Sequence, residues 1–265
     1  MKGLRETEGG FSRSTVGWVA AIGVISFALA LILSAYGEDL WSKPSPHANS
    51  FSRSALGHRA LVELLESMGL GVVSRRSPGT GSPGIVRPLI AAEPDPRVMQ
   101  EYGERLEELR KEARSRDAAL VVVLPKWRGE QDPGKPGWIA SAELLPEVEV
   151  LGVLRALGED SLETADIVRE ESPRKSRVQG CSARWRSSKA IDFRVDLAPA
   201  QLLVPGSGLE PEVTCGKNML VARHQPDAEG PEIYLVSDPD LLNNHGLAAG
   251  DNAVVIYELL AHRLG

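Results

Sequence analysis

The feature that most constrains the fold is the passage from an apolar run into a polar loop and then into a helix near the C-terminus. Ile233–Val236 is apolar and typical of a buried strand, and residues 253–264 have the apolar spacing of a helix. Between them, residues 237–252 are rich in Asp and Asn. In α/β proteins the functional crevice lies outside the carboxyl ends of the strands, so this loop is the first candidate for a functional site.

A second run, residues 118–124, is rich in valine and nearly continuous in apolar residues. Such runs are typical of strands buried on both faces of a parallel sheet. The run ends just before Trp127, which either lines a crevice at the strand end or covers the edge of the sheet. Residues 98–113 carry an amphipathic helical stripe after Asp95 and Pro96, and residues 141–157 are also predicted to be helical.

Residues 164–223 differ from the rest of the chain. Short β-branched runs alternate there with Gly and Pro, which is typical of antiparallel strands. The expected fold is therefore α/β, a Rossmann- or flavodoxin-like layered and mainly parallel sheet with an antiparallel β insertion. The insertion begins with basic residues around Trp185, which favour a solvated hairpin over an anionic lipid surface or a nucleic-acid surface.

Residues 15–36 contain no charged side chain and are long enough to cross a bilayer. Basic residues precede this segment and acidic residues follow it, which favours a cytoplasmic N-terminus. A cleaved signal peptide is the alternative, but its apolar region is shorter. We expect a cytoplasmic N-terminus at 1–14, a transmembrane helix at 15–36 in the lipid bilayer, a linker at 37–52 and an extracytoplasmic α/β domain at 53–265. This organisation predicts a single-pass membrane protein with its N-terminus in the cytoplasm and its C-terminal domain outside the cytoplasm.

The sequence contains two cysteines, Cys181 and Cys215. Paired cysteines outside the cytoplasm usually oxidise, so we predict a disulfide between them, with two free buried thiols as the alternative. Closing a loop of this size contributes about 3–4 kcal/mol in the chain-entropy model.

The polar loop offers carboxylates and amides whose role the residue types alone leave open. They can cap helices and close turns, bind a ligand or partner, or hold a hard cation such as Ca²⁺ or Mg²⁺. The spacing matches no EF-hand, there is no His cluster for zinc, and neither cysteine has the flanking glycines of a nucleophile elbow. We therefore predict no metal, no cofactor and no catalytic residue. The predicted ligand- or partner-binding residues are Asp238, Asp240, Asn243, Asn244, Asp251, Asn252 and Trp127.

Residues 50–54, Ser-Phe-Ser-Arg-Ser, lead into a helix, and the motifs at 237–244 and 250–253 follow near the C-terminus. With the N-terminal apolar segment, these motifs resemble the domain of unknown function family 4350. The resemblance implies a bacterial membrane protein whose soluble domain is similar to glutamine-amidotransferase-like α/β domains but lacks their catalytic cysteine. It also implies genes beside MoxR-type AAA+ ATPases and transglutaminase-like membrane proteins.

Two functions follow from these observations. The first is a membrane-anchored, non-catalytic binding or scaffold domain of an envelope-associated complex linked to a MoxR-type ATPase and its membrane-protein partners. The alternative is a membrane-anchored hydrolase that uses the acidic loop 237–252, with His245 as the base. The net charge of −6 and the predicted compartment argue against a nucleic-acid partner.

Overall fold

The computed structural model describes residues 13–41, 46–75, 88–95, 99–159, 162–170, 181–186, 192–206, 208–224 and 230–264. The chain divides into two units, Met1–Lys43 and Pro44–Gly265. The first twelve residues, which carry most of the predicted cytoplasmic N-terminus, lie outside the described ranges, as do the basic residues Arg174, Lys175 and Arg177.

The first unit contains one helix, α1, at Arg13–Trp41. Large apolar side chains of this helix are exposed, among them Trp18, Ile22 and Phe27. Across the described ranges, no helix combines the length and the apolar character that crossing a membrane requires. The transmembrane helix expected at residues 15–36 is therefore not found among the described residues.

The second unit is built around a mixed sheet of nine strands, with a separate two-stranded hairpin. In chain order its helices are α2 (Arg59–Ser67), α3 (Met99–Ser115), α4 (Glu147–Arg155) and α5 (Asn252–Tyr257), and α5 continues into a π-helical turn at Glu258–Arg263. Its strands are β1 (Leu89–Ala92), β2 (Leu120–Val123), β3 (Trp127–Gln131), β4 (Ile139–Leu144), β5 (Ile167–Glu170), β6 (Cys181–Trp185), β7 (Asp192–Val195), β8 (Ala200–Leu203), β9 (Leu209–Cys215), β10 (Asn218–His224) and β11 (Ile233–Val236).

The strand order is β1-β2-β11-β10-β9-β6-β7, with β8 paired to β10 and β5 to β8. Only β1 with β2 and β2 with β11 pair in parallel, and every other described pair in this sheet is antiparallel. The prediction of a mainly parallel Rossmann- or flavodoxin-like sheet is therefore wrong. A parallel neighbour needs a long crossover, and the short connections between β8, β9, β10 and β11 leave no room for one. Residues 164–223 thus extend the sheet rather than interrupt it.

The parallel strands β2 and β11 are covered on both faces. Alternate residues of β2 lie in two different cores, with Val121 in one and Val122 in the other. Residues of α2 and α5 pack on the first core, and residues of α3 and α4 pack on the second. Burial on both faces accounts for the continuous apolar run of residues 118–124.

The hairpin of β3 and β4 forms its own two-stranded sheet. The helix predicted over residues 141–157 is correct only for Glu147–Arg155, because residues 141–144 pair with β3 and Pro146 stands at the helix N-terminus. Near the β7 edge of the large sheet, a disulfide joins Cys181 of β6 to Cys215 of β9, with their Cα atoms 5.8 Å apart.

Candidate functional site

The carboxyl ends of the three parallel strands lie side by side, and each is followed by a charged residue. Glu93 follows β1, Lys126 follows β2, and Asp238 and Asp240 follow β11. His58, just before α2, completes the group. All five side chains are buried. We call these five residues the strand-end cluster.

Lys126 lies at the centre of the cluster and is fully buried. Its Nζ is 2.8 Å from Asp238 Oδ2 and 2.6 Å from Asp240 Oδ2. It also lies 5.1 Å from the centroid of the Trp127 ring. One cation thus balances two carboxylates in a place that water does not reach, where an unpaired charge would cost several kcal/mol.

The two aspartates receive further hydrogen bonds from the protein. Gln201 N donates to Asp238 Oδ2 at 2.8 Å, and Asp240 N donates to Asp238 Oδ1 at 3.0 Å. The Trp127 indole N–H donates to Asp240 Oδ1 at 2.8 Å, and Asn243 Nδ2 donates to the same oxygen at 2.7 Å. Every oxygen of both carboxylates therefore accepts a hydrogen bond from within the chain.

His58 and Glu93 form the second part of the cluster. Their Nε2 and Oε1 atoms are 3.0 Å apart, and His58 Nδ1 lies 3.4 Å from Leu242 O. His58 is therefore a buried member of the cluster. Burial raises the pKa of Glu93, and the charge on Asp240 raises it further, whereas His58 and Lys126 lower it. Burial also raises the pKa of Asp238 to about 6, against the opposing effect of Lys126.

Asn244 fastens the loop to the segment before α2. Its Oδ1 accepts a hydrogen bond from Ala60 N at 2.8 Å, and its Nδ2 donates to Ser52 O and Ser54 O at 2.9 and 2.7 Å. His245 N donates to Ala55 O. The amide therefore joins segments that are far apart in sequence, which fixes the position of the loop.

Asn252 and Asp251 fasten the other side of the loop. Asn252 Oδ1 accepts from Asp196 N, and its Nδ2 donates to three carbonyls, those of Asp196, Asp240 and Gly246. Asp251 stands at the N-terminus of α5, but its side chain makes no capping hydrogen bond and accepts from Arg194 N instead. Both residues therefore tie the loop to the segment around β7.

Gly246 explains why the loop can close so tightly. A Cβ atom at this position would overlap the carbonyl group of Asp240, which is backbone and cannot move aside. Gly246 N also donates to Asn243 Oδ1 at 2.8 Å. A larger residue at position 246 would therefore displace the turn that carries Asp240.

The seven predicted binding residues thus surround one region. The six that lie in the loop make hydrogen bonds that hold the loop or the cluster together, and the seventh, Trp127, does so through its indole N–H. Whether any of them also binds a ligand or partner stays a prediction. In the part of the chain that the structure describes, no group of three His, Cys, Asp or Glu side chains is arranged to hold a metal ion. His245 is exposed, and its ring makes no ion pair with a described carboxylate.

Sequence reasoning missed Lys126, Glu93 and His58. The first two have a signal that could have found them, since each is the first charged residue after an apolar run, at the same kind of position as Asp238. His58 carries no such signal, because its contact with Glu93 depends on how α2 packs on the sheet.

The family model of DUF4350, a domain of unknown function, matches residues 50–260 of the chain. The chain belongs to the DUF4350 family. The match includes the whole strand-end cluster and the loop fastened by Asn244 and Asn252. No curated protein matches the chain. The DUF4350 assignment therefore confirms the resemblance found in the sequence and names no reaction or ligand.

Proposed function

We propose that this DUF4350 chain is a non-catalytic binding domain of a bacterial envelope-associated complex. The observation that supports the proposal is the closure of the strand-end cluster. Its two aspartates lie where an α/β enzyme would place reactive groups, yet they are buried and their oxygens accept hydrogen bonds from Lys126, Gln201 and Trp127. Such a cluster fixes the shape of the surrounding surface and is not reached by a substrate.

The same geometry argues against the hydrolase alternative. A general base must lie within hydrogen-bond reach of the proton that it removes, and a second group usually orients it. His245 is exposed, but Asp238 and Asp240 point into the cluster toward Lys126. The loop therefore lacks a described carboxylate positioned to orient His245.

The proposed partner-binding surface is an exposed rim formed by His245 of the loop and Ala55 of the segment before α2, together with the neighbouring hairpin of β3 and β4. Asn244 fixes the position of the rim by accepting a hydrogen bond from Ala60 N, and Trp127 connects the hairpin to Asp240 through its indole N–H. A surface held this firmly loses little conformational freedom when a partner binds, which favours affinity.

The proposed location is the outer side of the bacterial inner membrane. The Cys181–Cys215 disulfide supports an oxidising compartment, and the exposed apolar side chains of α1 support contact with an apolar environment. The association with a MoxR-type system and its membrane proteins rests on the family resemblance alone.

A site-specific photo-crosslinking experiment tests the proposal. A benzoyl-phenylalanine is placed at His245 in the native host, and in a matched variant at Ser115, an exposed residue at the end of α3 near the amino end of β2. We expect a discrete crosslinked protein from position 245 and none from position 115. The same products from both positions, or none from either, would contradict a binding surface at the loop.

A further inference from the structure

The hairpin of β3 and β4 leaves one strand edge open. β4 pairs with β3 alone, and in the described part of the chain no other backbone group bonds to residues 140–144. Most of β4 is exposed. An exposed edge of this kind presents unpaired N–H and C=O groups that can pair with another strand.

The register identifies the backbone groups that face outward. Leu145 N donates to Lys126 O at 2.9 Å, which makes residues 126 and 145 a hydrogen-bonded pair. Because hydrogen-bonded and non-hydrogen-bonded pairs alternate in an antiparallel ladder, the pair of Gly129 and Ala142 is not hydrogen-bonded. Ala142 therefore directs its N–H and C=O away from β3, toward the open edge.

Exposed carboxylates and apolar side chains lie on or next to the hairpin, together with Lys135, whose Nζ is 5.2 Å from the centroid of the Trp138 ring. Glu130, Glu143 and Glu147 are exposed, and none of them forms an ion pair with a described residue. Trp138 and Val148 are each 63% exposed. A segment that alternates basic and apolar side chains would complement both the charge and the apolar surface.

The hairpin is also attached to a rigid base. The Trp127 indole N–H donates to Asp240, and Leu145 N donates to Lys126 O, so β3 starts and β4 ends beside the strand-end cluster. The edge is therefore already ordered in the free protein, so little conformational entropy is lost when an extended segment binds.

We propose that the β4 edge binds an extended, basic segment of a partner protein by strand addition. This inference rests on the proposed binding function and specifies the chemistry of the partner. The backbone of β4 supplies the hydrogen bonds, and the carboxylates of Glu130, Glu143 and Glu147 select Lys- or Arg-containing segments. Charged side chains on an edge strand also protect against aggregation, and the peptide-binding experiment described next separates this role from binding.

The test uses the full-length protein in detergent and two labelled decapeptides, one of alternating Lys and Val and the other of alternating Glu and Val. Ala142→Pro removes the outward N–H without removing a hydrogen bond to β3, and Ala142→Val keeps that N–H as the matched control. Fluorescence anisotropy should show that the Lys peptide binds the wild type. Its affinity should be at least tenfold lower for Ala142→Pro and within threefold of the wild-type value for Ala142→Val. The Glu peptide should not bind.

Equal binding of the Lys peptide to wild type and Ala142→Pro would overturn the proposal, as would equal binding of both peptides or binding of neither. If Ala142→Pro does not fold, the variant Glu143→Gln with Glu147→Gln leaves the backbone unchanged and should weaken binding of the Lys peptide severalfold at low salt. A wild-type dimer that Ala142→Pro dissociates would assign the edge to a second copy and also overturn the proposal. A crosslink at His245 without peptide binding would refute the strand addition and leave the proposed function standing.

Discussion

The parallel and antiparallel parts of the sheet place their charged residues differently. At the carboxyl ends of β1, β2 and β11 the charges are buried and meet in one cluster around Lys126. In the antiparallel part, by contrast, several ion pairs lie on the surface, as in Arg184 with Asp192 and Arg186 with Glu210. Parallel strands end at the same edge, so the residues that follow them converge, whereas antiparallel strands send such residues to opposite edges. The direction of the strands thus decides which charges become structural.

The largest expected effect is loss of the central cation. Lys126→Met removes the partner of two buried carboxylates and should lower the free energy of unfolding by about 3–5 kcal/mol. Urea denaturation at pH 7 measures the loss. Lys135→Met is the matched control, because Lys135 is exposed and its described contact is with the Trp138 ring. That control should change stability by less than about 0.5 kcal/mol. A similar small loss for Lys126→Met would mean that the cluster does not hold the parallel part together.

The next effect concerns the antiparallel part. Replacing both Cys181 and Cys215 with Ser removes the crosslink between β6 and β9 and should lower the free energy of unfolding by about 3–4 kcal/mol in the chain-entropy model. Urea denaturation without reductant compares this variant with Ser182→Ala, an exposed neighbour on β6. A loss below about 1 kcal/mol would show that the surface ion pairs and the core hold these strands without the crosslink.

A smaller effect distinguishes the parallel and antiparallel parts of the sheet, and it concerns the pH dependence of stability. Burial raises the pKa of Asp238 to about 6, whereas an unfolded aspartate titrates near 4, so the folded protein binds more protons between these values. The contribution of Asp238 to stability therefore increases as the pH falls from about 6 to about 4. In the antiparallel part, the hydrogen bond from Arg184 lowers the pKa of Asp192, and the stability that it contributes is lost only at lower pH.

Unfolding free energies of the wild type and Asp238→Asn, measured from pH 7 to pH 4, test this assignment. The increase in the free energy of unfolding on acidification should be smaller in Asp238→Asn than in the wild type. The control Asp192→Asn should keep this increase. If both variants follow the wild type over the whole range, Asp238 does not titrate as its burial requires.

Much of the core could be predicted from the sequence, because residues 118–124 and 233–236 are apolar at every position and a strand buried on both faces needs such a run. The family was also predicted correctly from the terminal motifs. The dominance of antiparallel pairing could not be predicted, since the pairing of β10 beside β11 depends on contacts between strands and not on the pattern within either one. For the same reason the loop at 237–252 was found from the sequence, but Lys126, which lies at the centre of the strand-end cluster, was not.

The central claim is that the strand-end cluster is closed to solvent and holds the structure without reacting. Acetylation of the native, full-length protein with acetic anhydride, followed by mass spectrometry of its peptides, tests this claim on Lys126 itself. Lys135 and Lys217 are exposed and should react within the labelling period, whereas Lys126 should react only after unfolding in urea. Modification of Lys126 at a rate comparable to that of Lys135 would show that the cluster opens in the native protein. That result would contradict the structural role proposed here and return the cluster to the candidates for a reactive site.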